Sequence, residues 1–153
     1  MSEEEKKVNS RKHTGIILLA FAAVICFFAA FAWWLFPKAS AVGTSSIYRE
    51  ETLEEKALQV VFLLDQNDFD SLRAGATEEM QSVLTQAQID QIRDQLSDNW
   101  GEGISLEIFS VQEVKQQGKI YASVQALAAY ENITVLYTIS FDQEMRLSGI
   151  YMK

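Results

Sequence analysis

The chain has 153 residues, with 21 acidic and 13 basic side chains, one Cys and one His, which leaves room for one small domain. From Ser46 onward 18 carboxylates stand against 8 Lys and Arg, a net charge of −10; that balance argues against nucleic acid and against a domain lying flat on anionic lipid, since both select basic surfaces. The Cys is Cys26 and the His is His13, so everything after residue 26 lacks a disulfide framework, a zinc site built on thiolate or imidazole, and a Ser-His or Cys-His nucleophile.

In chain order, a near-neutral arm (1–14) comes first, followed by residues 15–36, GIILLAFAAVICFFAAFAWWLF, with no charge and almost no polar side chain. As a helix, 22 residues would reach about 33 Å, the thickness of a hydrocarbon core, and the stretch is apolar all round rather than striped. It is expected to be a transmembrane helix. Lys6, Lys7, Arg11 and Lys12 precede it and Lys38 alone follows closely, which places the N-terminus in the cytoplasm and the C-terminal domain outside. Trp33 and Trp34 fall where amphipathic rings favour the headgroup level, and Pro37 ends the helix. The competing reading is a cleaved signal peptide with Ala39-Ser40-Ala41 as its site, but this apolar run exceeds the usual signal-peptide core.

Residues 37–47 are small and polar and read as a flexible linker to a domain at 48–153. A helix is expected over 50–64, opened by a Thr52-x-x-Glu55 capping box, with Leu53, Ala57, Val60, Val61 and Leu64 on one face and Leu58 and Phe62 widening it. Residues 65–70, DQNDFD, alternate oxygen ligands but miss the glycine and spacing of a calcium loop. They read instead as a helix stop and turn. A short helix ending at Gly75, a further turn or two over 77–84, and a third helix over 86–100 follow. The last has Thr85 and Gln88 as capping box and Ile89, Ile92, Leu96 and Trp100 as its stripe.

After Gly103 the apolar period changes to two. Ile104, Leu106 and Ile108 make a strand with one buried face, and Gln117-Gly118 turns into a strand over 119–130. Glu131-Asn132 is a tight turn into a strand over 133–141. A two-residue turn there sets Tyr137 opposite Ala126 and Phe141 opposite Ala122, large against small, with Gln125 opposite Thr138 on the more polar face. A short strand over 146–152 closes the chain. The expected class is α+β: an N-terminal transmembrane helix, then about three helices on a curved antiparallel four-stranded sheet.

This arrangement resembles a bacterial extracytoplasmic domain-of-unknown-function family with the nuclear-transport-factor-2-like, or cystatin-like cone, fold. The resemblance is carried by LLDQNDFDSL (63–72), the helix leading to WGEG, YENITVLYTISFD (130–142) and LSGIYM (147–152), and spans 48–153. It implies an extracytoplasmic bacterial domain and no assigned reaction.

The functional expectation is therefore a membrane-tethered binding or protein-interaction module. The binding candidates are Trp100, Tyr121, Gln125 and Thr138; no catalytic residue, metal ligand or cofactor is named. Expected partners are the lipid bilayer through 15–36, a second copy through the sheet face, and an unidentified membrane or cell-envelope protein, with no nucleic acid. The alternatives are a cone-fold enzyme using a carboxylate base and an accessory subunit of a membrane complex. Asp90, Asp94 and Asp98 lie off the apolar stripe and read as a solvated face.

Overall fold

A computed structural model describes residues 38–43 and 47–153. The expected arm and transmembrane helix lie outside these residues; among the described residues no helix is long and apolar enough to cross a membrane. Four helices and five strands follow: β1 (Lys38–Ala41), α1 (Glu50–Asp65), α2 (Phe69–Ala74), α3 (Glu78–Val83), α4 (Gln86–Leu96), β2 (Gly103–Gln116), β3 (Lys119–Tyr130), β4 (Thr134–Phe141) and β5 (Leu147–Met152). The strands form one antiparallel sheet in the order β1-β2-β3-β4-β5. The class is α+β, with a fifth strand and a fourth helix beyond expectation.

The extra strand overturns part of the linker. Lys38 to Ala41 pair in register with Lys115 to Gln112, although composition alone marks them as flexible. All four are exposed, so the pairing rests on backbone hydrogen bonds, which no apolar pattern announces. The extra helix is α3, where the Thr77 hydroxyl accepts from the Met80 N–H and turns a loose turn into a capped helix.

α1 starts at Glu50, with Arg49 as N-cap and no side-chain cap bond, so the expected Thr52 box does not form. Tyr48 fixes the start instead: it is buried, and its hydroxyl donates to the Ile120 carbonyl at 3.1 Å. Burial first, then the negative Asp142 and Glu113, push its phenol up to about 12. The five-residue stripe packs as expected, but Phe62 is 60% exposed, because it sits past the edge of that stripe. α4 is shorter than expected. Thr85 caps it, accepting from Gln88 N–H, but it ends at Leu96, and of its stripe Ile89 alone is fully buried.

The β3–β4 register matches the expectation: Tyr137 faces Ala126, Phe141 faces Ala122 and Gln125 faces Thr138. The β2–β3 turn is a two-residue hairpin with Gln117 at φ 51 and Gly118 at φ 76, the positive angles of a type I′ turn. β2 departs from simple alternation. Register shifts fall between Gly103 and Ser105 and between Ile108 and Ser110; Ile104 and Phe109, the extra residues, are 69% and 72% exposed. Such bulges bend a strand and re-aim its side chains. Ile104 therefore leaves the expected buried face, while Leu106 and Ile108 stay opposite Ala128 and Ala126.

One face of the sheet carries the core. Tyr137, Ile139, Val124 and Val135 meet Leu53, Val61 and Leu64 of α1 and Leu84 before α4, all fully buried, and each such aliphatic side chain contributes about 1.5–3 kcal/mol by leaving water. At the far edge, Leu147 is clasped by the α2–α3 connection through Leu147 N–H to Gly75 O and Thr77 N–H to Leu147 O, both 2.9 Å.

Candidate functional site

The chemistry gathers where α1 ends. A helix leaves its last carbonyls without partners, and here Arg93 of α4 supplies them: one terminal nitrogen donates to the Leu64 carbonyl at 3.2 Å and to Asp65 Oδ1 at 3.0 Å. Asp65 also accepts from the Tyr130 hydroxyl, at 3.0 and 3.2 Å to its two oxygens. The Tyr130 and Tyr137 hydroxyls lie 2.9 Å apart. An ionised carboxylate only accepts, so Tyr130 spends its one proton on Asp65 and accepts from Tyr137. Four side chains from two helices and two strands thus form one polar floor.

Trp100 closes it. Its ring packs edge-on to Tyr130, centroids 4.9 Å apart, and the Arg93 guanidinium lies 5.1 Å from the indole centroid, a cation–π contact. The indole N–H donates to the Arg93 carbonyl at 3.2 Å, turning the loop back over α4 after Ser97 has left the helix. The loop is then tied to the β3–β4 turn: Asn132 N–H to Trp100 O at 3.0 Å, Glu131 N–H to Glu102 O at 2.9 Å, and Glu102 N–H to Glu131 Oε2 at 3.2 Å. Gly101 stands at φ 74, and a Cβ there would meet Glu131 Cβ at 2.6 Å. Glycine is required on both counts.

Together Asp65, Gln66, Arg93, Trp100, the 101–103 loop and Tyr130 line a cavity of about 320 Å³. Burial pushes the Asp65 carboxyl above the usual carboxylate range, opposed by the Tyr130 hydrogen bond and the Arg93 charge. Burial likewise holds Tyr130 and Tyr137 above the ordinary phenol value. Arg93 Nε is buried and has no hydrogen-bond partner among the described residues.

Of the candidates from sequence, Trp100 belongs to this cavity. Gln125 and Thr138 are brought together elsewhere, side by side across β3 and β4 on the face away from the core, where the Ser110 hydroxyl donates to Gln125 at 3.2 Å. Tyr121 lies on that same side of β3 and borders a separate cavity of about 680 Å³ with Lys119, Asp142, Arg146 and Ser148. Asp65, Arg93, Tyr130 and Tyr137 are not among the binding candidates drawn from sequence, where Asp65 falls in a helix stop and Tyr137 is a core position. The available signal was Tyr130 and Tyr137 both at inward positions, since a buried phenol needs a partner for its hydroxyl. Asp94 and Asp98 are exposed and Asp90 is half-buried. Among the described residues no three His, Cys, Asp or Glu side chains converge as metal ligands.

A family model described as "Protein of unknown function (DUF3887)" matches residues 57–150. The fold is similar to the NMR structure of a protein from Ruminococcus gnavus ATCC 29149, with a TM-score of 0.63 at 22% identity, covering 75% of this chain and 99% of that one. No curated protein matches the chain.

Proposed function

The chain belongs to the DUF3887 family of proteins of unknown function, and from that premise we propose that it is a binding module rather than an enzyme, with the Asp65–Arg93–Trp100–Tyr130 cavity as its ligand site. One observation carries the reading: the cavity has an aromatic wall over a polar floor that joins Asp65, Arg93, Tyr130 and Tyr137, with Arg93 Nε buried and without a partner among the described residues. Asp65 is held in place by the Arg93 guanidinium and the Tyr130 hydroxyl, an arrangement that suits a positioned polar contact to a ligand. A volume of about 320 Å³ suits a small ligand. Helices against one face of a sheet bent by two bulges favour the nuclear-transport-factor-2-like cone as its framework. The apolar, uncharged run at 15–36 and the lysines before it support a single-pass tether with this domain outside the membrane.

Native mass spectrometry of the full-length chain, released gently from its expression host, tests the site. We expect added small-molecule mass that is lost in Trp100→Ala; the same bare mass in both proteins would end the proposal. A second reading, pairing of two copies through the sheet, is favoured by the outer face of β2–β4. In a domain of net charge −10, the cross-strand positions on that face bear one carboxylate, Glu107, and one cation, Lys119, among Ser, Thr, Gln, Ala, Val, Tyr and Leu, while Leu127 and Tyr151 stand exposed.

A further inference from the structure

We propose that the open edge of β2, residues 104–111, is a docking site where an extended basic segment of another protein adds a strand to the sheet. β2 has fourteen residues, and on one side β3 runs along its full length. On the other side β1 pairs only with Gln112 to Lys115. Among the described residues, no backbone group from Ile104 to Val111 bonds to anything but β3. In an antiparallel ladder alternate residues turn their N–H and C=O away from the neighbouring strand. At an open edge those groups meet water or a further strand, which is how extended peptides are captured.

The side chains favour a strand over water. Edges are commonly blunted by lysine or proline, and residues 104–111 hold neither; Ile104, Leu106, Ile108, Phe109 and Val111 make up five of the eight. Ile104 and Phe109 are exposed. Leu106, Ile108 and Val111 sit opposite the buried Ala128, Ala126 and Val124, yet are themselves only half-buried. The two bulges limit the regular run between them to Ser105–Ile108, which suits a short segment.

Charge selects the occupant. From Asp94 to Val114 the chain carries five carboxylates and no Lys, Arg or His. The β3 residues paired with Ser105 to Val111 are all uncharged. Glu107, in the middle of the stretch, is exposed and makes no ion pair among the described residues. Antiparallel pairing of two copies across this stretch would bring Glu107 against its own counterpart, a destabilising contact between domains of net charge −10. A segment that alternates apolar and basic residues instead sets apolar groups beside Leu106 and Ile108 and a cation beside Glu107.

The test is hydrogen exchange of the full chain, read by mass spectrometry, with acetyl-Lys-Val-Lys-Val-Lys-Val-Lys-amide as the probe. We expect the probe to slow exchange in 104–111 and the same peptide with glutamate for lysine to leave it unchanged. Glu107→Lys should weaken binding of the lysine peptide by about five-fold and admit the glutamate peptide, while protection of β3 and β4 in the same data reports that the variant is folded. No protection of 104–111, or equal protection by both peptides, would overturn the proposal. So would protection of 104–111 that rises with protein concentration alone, which assigns the edge to a second copy.

Discussion

Asp65 concentrates the electrostatics of the cavity, and its behaviour with pH follows from its surroundings. Burial raises its folded carboxyl above the ordinary aspartate value of 3.8, so between that raised value and 3.8 the folded state holds a proton that the unfolded chain has released. Stability contributed by this group therefore grows as pH falls through the window, opposite to an Asp stabilised by ion pairing. Thermal unfolding of the wild type and Asp65→Asn from neutral pH to about pH 4 should show the wild type gaining on the variant as pH falls; a constant gap would refute the shift. Next to it, the two phenols differ in what they hold. Tyr137→Phe removes the hydroxyl that donates to Tyr130, at about 1 kcal/mol, whereas Tyr130→Phe removes the bond to a carboxylate together with the acceptor of that Tyr137 proton, at about 2–3 kcal/mol. Urea unfolding should give that order. None of this could be taken from the sequence in advance, because Arg93 and Tyr130 are 28 and 65 residues from Asp65 along the chain. Trp100 was legible as a large aromatic just before Gly101 and Gly103, although the helix expected to reach it stops at Leu96.

Elements were legible where a pattern repeats and hidden where backbone alone decides. The β3–β4 register followed from large residues facing small ones, and the capping of α4 from Thr85 and Gln88. β1 has no apolar face to read, and the bulges at Ile104 and Phe109 break the very alternation by which β2 would be recognised. The two loop glycines let these local demands be separated. Gly118 stands at φ 76 with open space around its Cβ position, whereas Gly101 adds a clash with Glu131 to a φ of 74. Gly118→Ala should cost about 1 kcal/mol from backbone strain. Gly101→Ala should cost about 2–4 kcal/mol, adding the overpacking penalty, and should also loosen the Trp100 loop. Equal costs in denaturant unfolding would mean that the loop gives way to the extra carbon.

At the scale of the whole molecule, charge and apolar surface pull in opposite directions. A domain of net charge −10 repels its copies, and that repulsion is screened over about 10 Å at 0.1 M salt and about 3 Å at 1 M. Pairing through a sheet face that carries Glu107 as its one carboxylate would draw on Leu127 and Tyr151, 39% and 61% exposed, and owe little to ion pairs. Salt should then strengthen the association, the reverse of a complex held by opposite charges. Leu127→Asp places a second like charge on each copy at the centre of that face, directly opposite Glu107, so it should leave the chain monomeric at every salt concentration and cost the fold about 1 kcal/mol. Sedimentation equilibrium of the full chain in a density-matched detergent follows both effects. A self-association that weakens with salt would place the contact on the charged helices instead, and an unchanged one in Leu127→Asp would move it off the sheet.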